Sequence, residues 1–249
     1  MKLYIIPITR KRHFLYCCHV SVVSEFSLVD KFANKVNNLW KKWGCSEIKW
    51  KKKLVDIANR IIDRLPYEEW SLKSVPPLKK TSQIHEMREI QNKVVVHYPA
   101  SIGSDGVIFT ISDLVKRKIL FHKRWMIISM IGAPFTLPVA LIPIIPNIPG
   151  FYLLFRAYSH WKAFHGAQHL DYLLKNNLFN LSASLSLEKV YGTSLQSTNN
   201  DDYLLLNAAR ISTISKIIDH KDFQTHLKRV VHQIQKNNSL KTSNFSIFL

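Results

Sequence analysis

APFTLPVALIPIIPNIPGFYLLFR, residues 133–156, holds five prolines and no charged residue before Arg156. Apolar runs become buried helices or membrane spans, and proline interrupts both. Working outward, none of the 31 residues from Trp125 to Phe155 is Asp, Glu, Lys, Arg or His. As one helix the run would measure about 46 Å at about 1.5 Å per residue, longer than a bilayer core of about 30 Å. Two complete spans need about 40 residues, so the run fits neither case.

The prolines divide it. Trp125–Ile142 is the more helix-like arm, kinked by Pro134 and Pro138. Pro143, Pro146, Asn147, Pro149 and Gly150 form a turn that cannot stay helical, and Phe151 restarts a helix. Lys116, Arg117, Lys118, Lys123 and Arg124 precede the run, and Arg156 and Lys162 follow it. Positive charge stays on the side from which insertion begins, so basic flanks at both ends favour a hairpin that enters and returns. Three readings fit: a soluble hairpin packed into a core, a single kinked span, and a re-entrant hairpin whose turn is covered by protein or reaches water.

The remaining chain is a sizeable globular protein of unusual charge. Its 249 residues carry 35 Lys+Arg against 17 Asp+Glu, a formal net charge of +18. Such a surface suits an anionic partner, either nucleic acid or acidic lipid headgroups. Cys17, Cys18 and Cys45 do not suggest a disulfide framework, which points to a reducing compartment. The N-terminus has no acidic residue before Glu25, a mitochondrial presequence in charge only, because its apolar residues are β-rich.

Lys2–Ile8 and His13–Val23 read as strands, with Pro7 placing the first near an edge. Glu25–Trp43 reads as a helix closed by Gly44. Ser46 caps a second, whose stripe of Trp50, Leu54, Ile57, Ile61 and Leu65 stops before Pro66. Lys93–Tyr98 is a strand, Gly103–Gly106 a turn, and a helix begins near Ser112–Asp113. Phe151–Lys175, Asp201–Asp219 and Phe223–Lys236 read as helices, and Leu178–Asn200 is looser. The expected fold is mainly α with a few short β-strands (α+β), built around the proline-turned hairpin at 118–176. Residues 1–193 form one domain and 194–249 carry C-terminal amphipathic helices.

Chemistry-bearing patterns are few. There is no Gly-rich phosphate loop, no Gly-x-Ser-x-Gly and no zinc-protease pattern, so neither an enzyme nor a cofactor is expected. Glu68 and Glu69 read as a solvated turn after a helix end. Arg156 and His160 stand four apart and share a helix face. Facing a wet cavity they would handle ions or protons, since histidine changes charge near neutral pH; otherwise they bond the proline turn or lipid phosphates. His165 and His169 have a spacing that can bind metal on a helix, but no catalytic Glu lies between them, and two partly exposed histidines are the simpler reading. Lys41–Lys53 with Trp40, Trp43 and Trp50 suits stacked bases, a lipid interface, or a plain core with solvated lysines.

MKLYIIPI, WKKKLVDIANRIIDRLPYEEWSLKSVPPL, KVVVHYP and HKRWMIISMIGAPFTLPVALIPIIPNIPGFYLLFRAYSHWKAFHGAQHL occur in this order. Together they resemble the mitochondrial K+/H+ exchange-related family over residues 1–193. PYEEW (66–70) and PNIPGFYLLFRAYSHW (146–161) are the most specific segments. The matching positions include Tyr67, Glu68, Glu69, Trp70, Pro143, Pro146, Asn147, Pro149, Tyr152, Arg156, Ser159, His160 and Trp161. The resemblance implies an inner-membrane protein of fungal or plant type, with its basic bulk toward the matrix. It further implies K+ and H+ as the ions concerned and a part in matrix volume control. A regulatory or accessory member of a larger inner-membrane assembly fits better than a lone carrier, and cardiolipin-like lipid suits the charge. The alternative is an RNA- or ribosome-binding protein tethered to the matrix face.

Overall fold

The computed structural model describes residues 1–18, 42–49, 65–78, 94–140, 148–192, 201–220 and 223–245, with single positions 38, 52, 53, 55, 56 and 60 besides. The chain divides into two compact units, Met1–His19 with Tyr67–Leu249, and Val20–Pro66. Within the smaller unit, Ser46 Oγ accepts the Ile48 N–H at 3.3 Å, as a capping side chain does. Val55 is buried. The expected helix at 25–37 and the positions Trp50, Leu54, Ile57 and Ile61 lie outside the described residues.

The larger unit is built on a four-stranded sheet in the order β2-β1-β3-β4. Its strands are β1 (Lys2–Pro7), β2 (His13–Cys18), β3 (Val94–Tyr98) and β4 (Phe179–Ala183). β1 runs antiparallel to β2, pairing Lys2 with Cys18 and Pro7 with His13, while β1–β3 and β3–β4 are parallel. β1 is therefore interior rather than near an edge. Pro7 is tolerated because it sits at the strand's last paired position.

Successive strand residues face opposite sides, and here both sides are apolar. Leu3, Ile5, Leu15, Cys17 and Val96 lie on one face. They are covered by α1 (Tyr67–Ser74), α2 (Ser104–Gly132) and α4 (Ile148–Lys175) through Leu72, Ile111, Val115, Ala163, Ala167 and Leu170. Ile6, Phe14 and Tyr16 lie on the other. They meet α5 (Leu185–Tyr191), α6 (Ala208–Ile218) and α7 (Phe223–Phe245) through Tyr191, Ile214, Phe223, Leu227 and Ile234. This period-two pattern, apolar on both faces, makes a sheet buried between two helical layers. Seven α-helices are present among the described residues, the seventh being the short α3 (Leu137–Ala140), so the fold is mainly α with a few strands.

Several elements depart from the sequence expectation. α1 occupies the PYEEW segment, and β4 and α5 occupy part of the stretch read as loose. α2 starts at Ser104, eight residues early: Gly103 takes the positive φ of 73° just before it, so the glycines flank and enter the helix instead of making a turn. α4 starts at Ile148, with Pro149 in its first turn, where a missing N–H costs nothing. α6 begins at Ala208, where Asn207 accepts the Arg210 N–H at 2.8 Å. α4 ends at Lys175 and is closed by Asn177, in left-handed conformation with φ 52°, and Leu178 N–H bonds Leu173 O at 3.0 Å before the chain enters β4.

α2 and α4 form a long helical hairpin. Trp125 to Gly132 extends α2 about 10 Å at about 1.5 Å per residue, followed by a 3-10 turn, Pro134–Thr136, and α3. Residues 141–147, with Pro143, Pro146 and Asn147, lie outside the described residues. No helix among the described residues is long and apolar enough to cross a membrane.

α1 lies so close on α4 that a Cβ added to Gly166 would sit 2.0 Å from Leu72 O. Gly166→Ala is therefore expected to force the helices apart at a cost of about 3 kcal/mol. That corresponds to a fall in melting temperature of about 6–12 °C. Gly103→Ala, with no neighbour within 4 Å, strains only its own backbone and is expected to cost less. An unchanged melt for Gly166→Ala would contradict this packing.

Candidate functional site

Three helices bring six polar side chains together at the root of the hairpin. α1 supplies Glu69 and Lys73, one turn apart. α2 supplies His122, and α4 supplies Arg156, Ser159 and His160 at i, i+3 and i+4. Adjacent helix positions point about 100° apart, which separates the two glutamates. Glu68 stays at the surface with Lys118 and, at 3.4 Å, Arg117. Glu69 turns inward and is 2% exposed. The expectation of a solvated pair thus fails for Glu69, because the PYEEW segment is itself a helix.

Arg156 Nη1 donates to Glu69 Oε1 at 3.0 Å and to Oε2 at 3.2 Å. Ser159 Oγ donates to Oε1 at 2.5 Å and accepts from Lys73 Nζ at 2.9 Å. Lys73 also lies 4.6 Å over the ring of Trp70. Arg156 Nη2 donates to His160 Nε2 at 2.7 Å, and the Nδ1 atoms of His160 and His122 are 2.8 Å apart. One continuous network thus runs Lys73–Ser159–Glu69–Arg156–His160–His122. Both histidines are 1% exposed.

Burial works to raise the Glu69 carboxyl, but the Ser159 hydrogen bond and the charges of Arg156 and Lys73 outweigh it and hold the group below its ordinary value. Burial pushes Lys73 down to about 8, which Glu69 only partly offsets. Burial likewise lowers both His122 and His160 to about 4, with Arg156 the next influence on His160. At neutral pH the network holds one carboxylate, two cations and two neutral imidazoles.

Glu69, His122 and His160 each offer an atom within 4.8 Å of the others. Arg156, however, occupies the His160 Nε2 lone pair and both Glu69 oxygens. Lys73 adds a second cation, so the donor set is that of an ion-pair network and no metal centre is assigned. His165 and His169 are turned to other uses: His169 Nδ1 donates to Pro76 O at 2.8 Å, and His165 Nδ1 meets Gln168 Oε1 at 3.0 Å. A separate cavity of about 830 Å3 is lined by Arg10, Arg12, Glu68, Asp113 and Arg117 among others. Its charges of both signs pair, Arg117 with Asp113 at 2.6 Å and Arg12 with Asp202 at 3.4 Å.

Beyond the network the hairpin is bare. Ile128, Met130, Ile131, Phe135, Leu137, Phe151 and Leu154 are all more than half exposed. Exposed Lys116, Lys123 and Arg124 stand at its root, beside half-exposed Trp125. An apolar end of this extent is unusual on a monomeric soluble surface.

Of the residues singled out from sequence, Arg156, His160 and Glu69 meet directly and Glu68 flanks them. Asn147 lies outside the described residues, as do Trp40 and Trp50 of the basic segment, whose Lys42, Lys49, Lys52 and Lys53 are exposed. His122, Ser159 and Lys73 were not expected to join Arg156 and His160. His122 was readable in one way: Val115, His122 and Ser129 recur by sevens on the buried face of α2.

Fold and network together define a sheet-based domain bearing a helical hairpin with a charged root and an apolar end. The chain belongs to the mitochondrial K+/H+ exchange-related family, whose pattern matches residues 2–174. It is 31% identical over 243 residues to an uncharacterized protein of Schizosaccharomyces pombe, covering 96% of this chain and 99% of the relative. It is 30% identical over 273 residues to an uncharacterized protein of Saccharomyces cerevisiae, covering 95% and 85%. No solved structure matches it.

The neutral histidines set an acid limit on the fold. Each titrates near 6.5 when unfolded and near 4 when folded, so the unfolded chain binds more protons between those values. Stability is therefore lost as pH falls from about 6.5 toward 4, and the depressed Glu69 adds to the loss below its ordinary value. Denaturant midpoints are expected to fall between pH 7 and pH 5, and to fall less in His122→Asn. Equal slopes for the two proteins would show that His122 is not buried as a neutral ring.

Proposed function

We propose that the protein serves mitochondrial potassium–proton exchange from the inner membrane, as an accessory or regulatory component of a larger assembly. The hairpin's apolar end dips into the bilayer and the basic domain stays on the matrix side. The observation that carries this reading is the exposed apolar end itself, closed at its root by Lys116, Lys123 and Arg124. Lysine and arginine beside a buried apolar end suit anionic headgroups, each worth about 1 kcal/mol near such a surface. Trp125, at the root, is the amphipathic residue of a membrane–water boundary.

The extension of α2 past Trp125, about 10 Å at about 1.5 Å per residue, is about a third of a hydrocarbon core of about 30 Å. That length is short of a crossing, and no other helix among the described residues is long and apolar enough to make one. This favours a component over a self-sufficient carrier. Cardiolipin-like lipid is the natural anionic partner for a chain of charge +18.

Mitochondria lacking the protein are expected to swell abnormally in potassium salts, and the wild-type chain to restore the response. The double variant Ile131→Glu/Phe135→Glu alters side chains 60% and 79% exposed. It is expected to melt like wild type, to lose flotation with cardiolipin-containing vesicles, and to fail in restoring swelling. Unaltered swelling without the protein, or full restoration by the variant, would contradict the proposal.

A further inference from the structure

The four ring nitrogens of His122 and His160 have fixed roles. Arginine only donates, so Arg156 Nη2, 2.7 Å from His160 Nε2, requires a bare lone pair there. A neutral His160 then carries its hydrogen on Nδ1 and donates it to His122 Nδ1, 2.8 Å away. His122 consequently carries its own hydrogen on Nε2. That nitrogen is a buried side-chain atom with no hydrogen-bond partner among the described residues. Two protons and two hydrogen bonds fill the pair. A third proton breaks one of those bonds wherever it goes. At His160 Nε2 it displaces Arg156; between the rings it sets one N–H against another.

We propose that the His122–His160 pair is a proton-binding site that exchanges one solvent proton for the guanidinium of Arg156 at the carboxylate of Glu69. Hydronium gives its proton to His160 Nε2 and leaves as water; one N–H bond forms and no other covalent bond changes. The acceptor for the new N–H is Glu69. Arg156 now bridges its oxygens and His160 Nε2. A Glu69 oxygen lies within 4.8 Å of a His160 ring nitrogen, a gap the side chains close by shifting once the guanidinium leaves. Arg156 is the group that yields. Its side chain retains 15% exposure and can swing outward, whereas parting the rings means moving α2 off α4.

The charged groups that act on the pair come from all three helices: Glu69 and Lys73 on α1, Lys118 on α2, itself paired with Glu68 of α1, and Arg156 on α4, with Lys162 beyond it acting on Lys73. Burial above all, with Arg156, Lys73 and Lys118 against the single offset of Glu69, keeps the pair unloaded at neutral pH. Arg156 is the neighbour that most opposes a charge on His160. Whatever draws Arg156 outward therefore raises the pair's proton affinity, and proton uptake reciprocally frees Arg156. Any use of the site in exchange rests on the function proposed above; its proton chemistry stands on the hydrogen bonds alone.

Histidine ring-nitrogen NMR on the full chain in lipid bicelles tests it, with signals assigned by His122→Asn and His160→Asn. The expected pattern at neutral pH is an Nδ1–H tautomer at His160 and an Nε2–H tautomer at His122. The first step of acid titration is expected to add a single proton to the pair. Arg156→Gln is expected to raise the midpoint by at least one pH unit. Arg156→Lys keeps a charge opposite Glu69 without the fork that also reaches His160, and is expected to raise it too with the fold intact. An Nε2–H tautomer at His160, or a midpoint indifferent to Arg156→Lys, would overturn the site while leaving the exchange role standing. Unaltered potassium-driven swelling without the protein would remove that role and leave the ring pattern in place.

Discussion

Glu69 keeps a negative charge almost wholly away from water, and the Ser159 hydrogen bond and the Arg156 ion pair permit it. Removing one partner of such a pair typically costs about 3–5 kcal/mol, because the other is left as a buried, uncompensated charge. The pair also joins α1 to α4, with Arg156 bonded onward to His160 and Ser159 bonded to the same carboxylate. The root of the hairpin is thereby fixed against the sheet domain. A hydrophobic substitute for the pair would hold the helices equally well. What an ion pair adds is a junction whose charge state depends on protons.

Much of the frame was legible because it obeys simple periods. Leu3, Ile5, Leu15 and Cys17 against Ile6, Phe14 and Tyr16 alternate strictly, which marks β1 and β2 as strands with both faces apolar, although the interior place of β1 between β2 and β3 was not readable from it. Phe151–Lys175 is long and well patterned, so α4 was visible apart from its first three residues. Arg156 and His160 were visible as a pair because four-residue spacing on a helix is local information.

What stayed hidden depends on tertiary context. α1 has only eight residues, too few for periodicity to distinguish a helix from a turn, so Glu69 looked solvated. β4 reads FNLSA, with polar residues at positions that a parallel neighbour nonetheless orders through hydrogen bonds. His122 sat inside the basic run FHKR, where a histidine looks like one more surface charge. Its partner is 38 residues away, and only the return of α4 brings the rings together.

Position in the hairpin connects these features to function. The buried network lies beside Lys123, Arg124 and Trp125 at the root of the hairpin, and the apolar end lies beyond them. A protonation event there occurs beside the residues that the proposed seating brings to the headgroups. The most direct measurement is the immersion depth of nitroxide labels at Phe135→Cys and Phe109→Cys, in a Cys45→Ser background on cardiolipin-containing vesicles. Both native side chains are highly exposed, 79% and 72%, but only Phe135 is at the hairpin's end. Seating by the hairpin predicts oxygen-accessible, hydrocarbon-like surroundings at position 135 and water-like surroundings at 109. Water-like surroundings at both positions would contradict it.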